Sequence, residues 1–186
     1  FRTGDRIEVT GAVDVYAKSG DLQIKVTDWR HAGAGALYEA YLRLKARLSA
    51  EGLFFEGLKK PLPFFVRRVV VVTSAQAAAL QDVRRTIDRR TPWVRLMLSP
   101  AYVQGESAPL SLMAALDRAD AAGADVILLV RGGGSFEDLM TFNDEELARA
   151  VAACPVPVVT GIGHEPDTSI CDMVSDRRAS TPTAAA

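Results

Sequence analysis

A chain of 186 residues has room for one or two domains and for a real hydrophobic core. With 48% apolar and 24% charged residues it has the composition of a soluble globular protein, and no apolar window approaches the length that crosses a bilayer. The net charge of −1 gives no overall argument for a polyanionic partner, and no secretory signal is visible.

From the N-terminus, Arg6 to Val26 reads as a hairpin. Ile7, Val9, Val13 and Val15 alternate with polar residues, Lys18-Ser19-Gly20-Asp21 makes the turn, and Leu22, Ile24 and Val26 resume the alternation. Two strands alone are marginal in water, so the hairpin reads as the end of a small β-barrel. Ala32 to Ala36 reads as a flexible connector. Leu37, Tyr41, Leu42, Leu44 and Leu48 then fall at helical spacing in a segment that Gly52 ends. Leu53 to Pro63 is a loop by its prolines and charges.

An alternating pattern of strands and helices follows. Val69 to Val72 is a buried strand, and Ala75 to Arg90 a helix. Trp93 to Leu98 is a second strand, ending at Ser99-Pro100, and Pro109 to Ala122 a second helix. The third strand, Val126 to Val130, runs into Arg131-Gly132-Gly133-Gly134-Ser135, and Ser135 with Asp138 marks a helix start. Asn143 is read as the cap of a helix reaching Ala153, with Glu146 at its third position. Val156 to Ile162 is the fourth strand, and Gly163-His164-Glu165-Pro166 opens a last helix through Val174. Strands separated by helices of this length predict an α/β fold with a parallel sheet flanked by helices. Ligands of such sheets bind beyond the carboxyl ends of the strands. Thr73-Ser74, the loop from Arg131 to Ser135 and the turn from Gly161 to His164 all fall there.

Gly132, Gly133, Gly134 and Ser135 form a candidate phosphate cradle. Glycines let backbone N–H groups approach a bulky anion, and Arg131 adds a guanidinium fork. A tight strand-to-helix turn explains the same residues, and neither standard nucleotide fingerprint is present. His164 follows an apolar strand and could serve as general acid or base, with Asp167 to orient its ring; a structural loop histidine is the plainer alternative. Asp82 lies off the stripe of Leu80, Val83 and Ile87, where spacing favours a surface ion pair with Arg85. Glu137, Asp138, Asp144 and Glu145 suit helix starts better than metal ligation, and no His/Cys/Asp cluster has ligand spacing. Cys154 and Cys171 read as buried reduced thiols, in keeping with a cytoplasmic origin. Lys59, Lys60, Arg67, Arg68, Arg84, Arg85, Arg89 and Arg90 could form a basic face that follows a polyanion, or an ordinary solvated surface. Phe1 at the start and Thr183-Ala184-Ala185-Ala186 at the end suggest a piece of a longer protein.

The ordered set of motifs resembles the large subunit of exodeoxyribonuclease VII. Arg131–Leu139 (RGGGSFEDL), Phe142–Glu145 (FNDE), Pro157–Asp167 (PVVTGIGHEPD) and Ser180–Ala185 (STPTAA) carry the likeness, with Glu51–Phe54, Lys59–Pro63 and Val103–Gly105 in support. The resemblance implies a nuclease that degrades single-stranded DNA from either end to oligonucleotides, without a strict divalent-metal requirement and with no other cofactor. It implies catalytic roles for Asp82, Arg131, His164 and Asp167, which for Asp82 overrides the spacing argument. Pro166 departs from the family pattern, where threonine is expected. On this resemblance residues 1–31 are the C-terminal part of an OB-fold, 32–63 a linker with a helix, and 64–186 the α/β catalytic domain. A helical region beyond Ala186 would recruit the small subunit. A nucleotide-binding module and a non-catalytic single-stranded DNA scaffold remain the alternatives that the residues alone leave open.

Overall fold

The computed structural model describes residues 7–16, 20–31, 34–133, 139–162 and 168–186, in two compact units, Phe1–Leu44 and Lys45–Ala186. The first holds an antiparallel hairpin of β1 (Ile7–Tyr16) and β2 (Asp21–His31), in register from Ile7 opposite His31 to Tyr16 opposite Asp21. A bulge between Thr10 and Gly11 shifts the register, and a Cβ on Gly11 would stand 2.2 Å from the Lys25 carbonyl oxygen. The second strand runs five residues beyond the stretch that alternation marked. The apolar side chains of the hairpin are exposed, Leu22 of β2 at 76% and Val13 of β1 at 67%.

Helix α1 (Ala34–Ala50) starts inside the segment expected to be a flexible connector. Alanine is the best helix former, and Ala34 and Ala36 extend the helix despite Gly35 between them. Its end follows the expected device: Gly52 takes φ +79°, and the Leu53 and Gly52 N–H groups donate to the Leu48 and Ser49 carbonyls at 3.0 Å. In the second unit, Leu48 is fully buried, and Arg149 bridges Glu51 at 2.6 Å and Glu145 at 2.9 Å. A single 3₁₀ turn (Glu56–Leu58) interrupts the loop that follows.

The second unit is built on five parallel strands, β3 (Arg68–Thr73), β4 (Arg95–Pro100), β5 (Val126–Arg131), β6 (Val158–Ile162) and β7 (Arg177–Arg178), in the order β4-β3-β5-β6-β7. The helices are α2 (Ala78–Arg90), α3 (Ala108–Ala121), α4 (Glu145–Ala153), α5 (Ile170–Val174) and α6 (Pro182–Ala185). β3 and β5 are buried on both faces, which explains their unbroken apolar runs. On one face Val69, Val71, Val126, Leu128, Val130 and Val159 pack with Ala79, Val83 and Ile87 of α2, and Ala185 of α6 joins them. On the other, α3 covers β3 and β4 and packs on α4, which in turn packs on α5. Each fully buried valine or leucine contributes about 1.5–3 kcal/mol.

Several boundaries differ from those the sequence predicts. α2 starts at Ala78 rather than Ala75, because Ser74 closes a turn through the Ala77 N–H at 3.0 Å. The second strand of the sheet starts at Arg95 rather than Trp93, after a turn in which the Val94 N–H donates to Thr91. The five-residue helix α5 begins at Ile170 rather than at Pro166: Thr168 and Ser169 are not helical, and Ser169 makes a capping box with Asp172. β7 is a two-residue arginine strand that leaves no apolar pattern to read.

Gly161 in β6 marks a close approach. A Cβ there would lie 2.9 Å from the Thr181 carbonyl oxygen and 3.1 Å from the Pro182 Cα, both backbone. The Thr181–Pro182 start of α6 therefore rests directly on the strand, with the Ala179 N–H donating to Thr160 at 2.8 Å. Gly161→Ala should destabilise the domain by about 1–2 kcal/mol, since the overpacking cost exceeds the chain-entropy gain of alanine. Urea unfolding checks this, and an unchanged midpoint would mean that the α6 start is not pinned there.

Candidate functional site

The strand order reverses direction between β3 and β5, where crossovers leave to opposite sides of the sheet. Doubly wound sheets open a crevice at that point, beyond the carboxyl ends of the strands. Thr73 closes β3 and is fully buried, and among the described residues its hydroxyl has no hydrogen-bond partner. Ser74 donates to the Gln76 side chain at 3.2 Å. α2 begins just after, with neither a side-chain cap at Ala77 nor an acidic residue in its first turn.

Arg131 is the last residue of β5 and is 6% exposed. It stands opposite Ile162, the last residue of β6, so the two strands end side by side. Strand alternation sends Val130 to the α2 face and Arg131 to the face of α3 and α4. Gly132 is half-buried, and among the described residues a Cβ on it would meet no atom within 4 Å. Gly133 is exposed. The structure thus brings Arg131, Gly132 and Gly133 to the switch point. Gly134, Ser135, His164 and Asp167 lie outside the described residues, as do Glu137 and Asp138.

Asp82 stands apart from this group, on the second turn of α2. Its side chain is half exposed, with Arg85 Nη1 at 3.9 Å from its carboxylate, the surface pair that spacing favoured. α2 covers the face of the sheet opposite to that of Arg131. The basic run is also divided. Lys59 pairs with Glu56 at 2.8 Å, Lys60 with Asp176 at 3.1 Å and Arg84 with Asp88 at 3.7 Å, while Arg67 lies over the Phe65 ring at 5.4 Å. Arg89 and Arg90 end α2 exposed. Burial pushes the Cys171 thiol well up and the Cys154 thiol up as well, so both stay protonated at neutral pH and neither is a ready nucleophile. Among the described residues no group of His, Cys, Asp or Glu could hold a metal ion, and no helix is long and apolar enough to cross a membrane.

Sequence reasoning misassigned Asn143. The cap of α4 is Asp144, whose carboxylate accepts the Leu147 N–H at 2.9 Å. Asn143 is buried and its Oδ1 accepts the Ile170 N–H at 2.8 Å, at the start of α5. Both residues are good caps by type, and only the fold shows which helix each one serves. The Ser169–Asp172 spacing was a legible signal for the start of α5.

These features define a doubly wound α/β domain whose switch-point strand exits through a buried arginine into glycines. The family model described as "Exonuclease VII, large subunit" matches residues 53–186. The chain belongs to the exonuclease VII large-subunit family. It is 53% identical to an exodeoxyribonuclease 7 large subunit of Ralstonia nicotianae, over all of this chain and 42% of that protein. It is 50% identical to the proteins of the same name from Nitrosomonas europaea, over 98% of this chain and 41% of that one, and Delftia acidovorans, over 100% and 45%. The chain spans less than half the length of these curated relatives. Among solved structures, a cobalamin-binding protein from Desulfitobacterium hafniense aligns at a TM-score of 0.41 and 12% identity over 63% of this chain and 54% of that one, too slight a likeness to carry an argument.

Proposed function

We propose that this chain is the catalytic core of an exonuclease that hydrolyses single-stranded DNA to oligonucleotides. The observation that carries the reading is the exit of β5, where a buried arginine leads into glycines, in a chain of this family. A phosphodiester bound there would meet backbone N–H groups from Gly132 to Ser135 and the Arg131 fork, which stabilise the charge that develops on the phosphoryl oxygens. His164 stands two residues beyond Ile162, and the covalent chain can carry it no more than about 7 Å from that strand end. In the reaction His164 takes a proton from the attacking water or gives one to the leaving oxygen, with Asp167 orienting its ring. Asp82 orients the water from the α2 side. No step assigned to these groups calls on a divalent metal.

Residues 1–31 fit the closing hairpin of an OB-fold, whose exposed apolar face on β1 and β2 suits further strands, and residues 32–63 serve as the linker to the catalytic domain at 64–186. Arg67, Arg89 and Arg90 then guide the strand by charge, with salt-sensitive binding. The relatives' name, large subunit, points to a smaller partner, and the enzyme works in the cytoplasm.

The test uses end-labelled single-stranded DNA and its duplex, with the large subunit assembled with its partner, in EDTA. Cleavage of the single strand that His164→Ala removes is the expected result. Binding without cleavage would favour a scaffold, and tight mononucleotide binding without cleavage a nucleotide module. Cleavage that needs added magnesium would overturn the metal-free mechanism.

A further inference from the structure

The proposed site draws on two segments, the exit of β5 and the exit of β6, and the described residues just beyond each show what ties them together. After the first comes Leu139 and a 3₁₀ turn, Met140–Asn143; after the second come Thr168, Ser169 and α5. Asn143 is 7% exposed and accepts the Ile170 N–H at 2.8 Å, a partner 27 residues away. Ile170 is the first residue of α5, so no intrahelical carbonyl can serve its N–H. The neighbouring donors are already held locally. The Ser169 hydroxyl accepts the Asp172 N–H at 3.1 Å, and Asp172 Oδ2 accepts the Ser169 N–H at 2.9 Å. The capping box decides where α5 starts along the chain. The Asn143 bond decides where that start lies relative to the other segment.

Asn143 is itself held on both sides. Phe142 is fully buried, and Asp144 caps α4. A side chain so fixed acts as a rigid peg rather than an adaptable contact. Neither Asn143 nor Ile170 belongs to the groups assigned to the reaction; Asn143 follows Arg131 by 12 positions and Ile170 follows Asp167 by 3.

We infer that Asn143 is a positioning residue: its bond to the Ile170 N–H holds the segment carrying Arg131 and the glycines in register with the segment carrying His164 and Asp167. The inference rests on the nuclease reading. A misplacement of one ångström between reacting groups is enough to lower a rate a hundredfold, so loss of this tie acts on turnover more than on binding.

The experiment compares Asn143→Ala, Asn143→Asp and Val151→Ala in the assembled large subunit, with steady-state kinetics on an oligonucleotide, urea unfolding and amide exchange. Val151 is buried in α4 and supplies a destabilised variant that keeps both partners of the tie, Asn143 and Ile170. Asn143→Ala should lower kcat about 10- to 100-fold with KM within about 3-fold, and Val151→Ala should leave kcat within about 3-fold. Exchange at Ile170 should accelerate in Asn143→Ala alone, while β5 and β6 amides keep their protection. Asn143→Asp keeps an acceptor oxygen in place and should recover most of kcat. Wild-type kcat in Asn143→Ala with accelerated Ile170 exchange overturns the inference, as does an Asn143→Asp variant no better than Asn143→Ala. An assembly that cleaves nothing overturns the nuclease reading instead, and Ile170 exchange still decides whether the tie exists.

Discussion

Replacing Arg131 with Met should lower kcat on single-stranded DNA about 10²- to 10³-fold, the effect of removing one preorganised donor from a developing oxyanion. The guanidinium ends a strand bonded to neighbours on both sides, and the residue is 6% exposed. It needs little reorganisation when charge builds on the phosphate, and water screens it weakly. Methionine keeps the buried stem filled, so the loss reports the charge and the fork rather than a cavity. Arg131→Lys separates those two. A lysine keeps the charge as a point, without two parallel donors, and should recover only part of the rate. The measurement is kcat and DNA affinity for the three proteins, with urea unfolding to confirm that each is folded. A Met variant with wild-type turnover would remove Arg131 from the reaction. A Lys variant equal to wild type would show that charge alone suffices.

How legible the fold was depended on where the information sits. Val69–Val72 and Val126–Val130 could be read because central strands of a parallel sheet must be apolar on both faces. The C-terminus of α1 was legible because Gly52 acts locally. The cap of α4 slipped because the decisive partner is distant in sequence: Asn143 has the residue type of a cap for its own helix, yet it bonds the N–H of another. β7 was invisible, since two arginines pairing along β6 have no periodicity. Within the site, Arg131, Gly132 and Gly133 were legible as an apolar run ending in a cation and glycines. Asp82 was not, because a carboxylate half exposed beside Arg85 looks like many surface pairs; only family membership proposes it for the chemistry.

At the opposite edge of the sheet the largest effect falls on stability. Asp176 is almost fully buried and serves three groups at once: it accepts the Lys60 N–H and the Val158 N–H, each at 2.7 Å, and pairs with the Lys60 ammonium at 3.1 Å. Val158 begins β6, so this carboxylate ties the loop of Lys59 to Pro63 to the start of a central strand. Asp176→Ala leaves two N–H groups without an acceptor and a half-buried ammonium without its counter-ion, which should cost about 3–5 kcal/mol. That is a large share of the roughly 5–15 kcal/mol that holds a domain together. Asp176→Asn should do little better, because an amide offers one acceptor where two N–H groups need one each. Lys60→Met should cost less, since the carboxylate keeps both backbone donors, and the double variant should fall short of the sum of the singles. Urea unfolding of the four proteins measures this, and a loss below about 1 kcal/mol for Asp176→Ala would refute the account. Turnover per folded molecule should stay at the wild-type value in all of them. On the nuclease reading Arg131 acts at a strand end while Asp176 holds a strand start, so the two should fail in different assays.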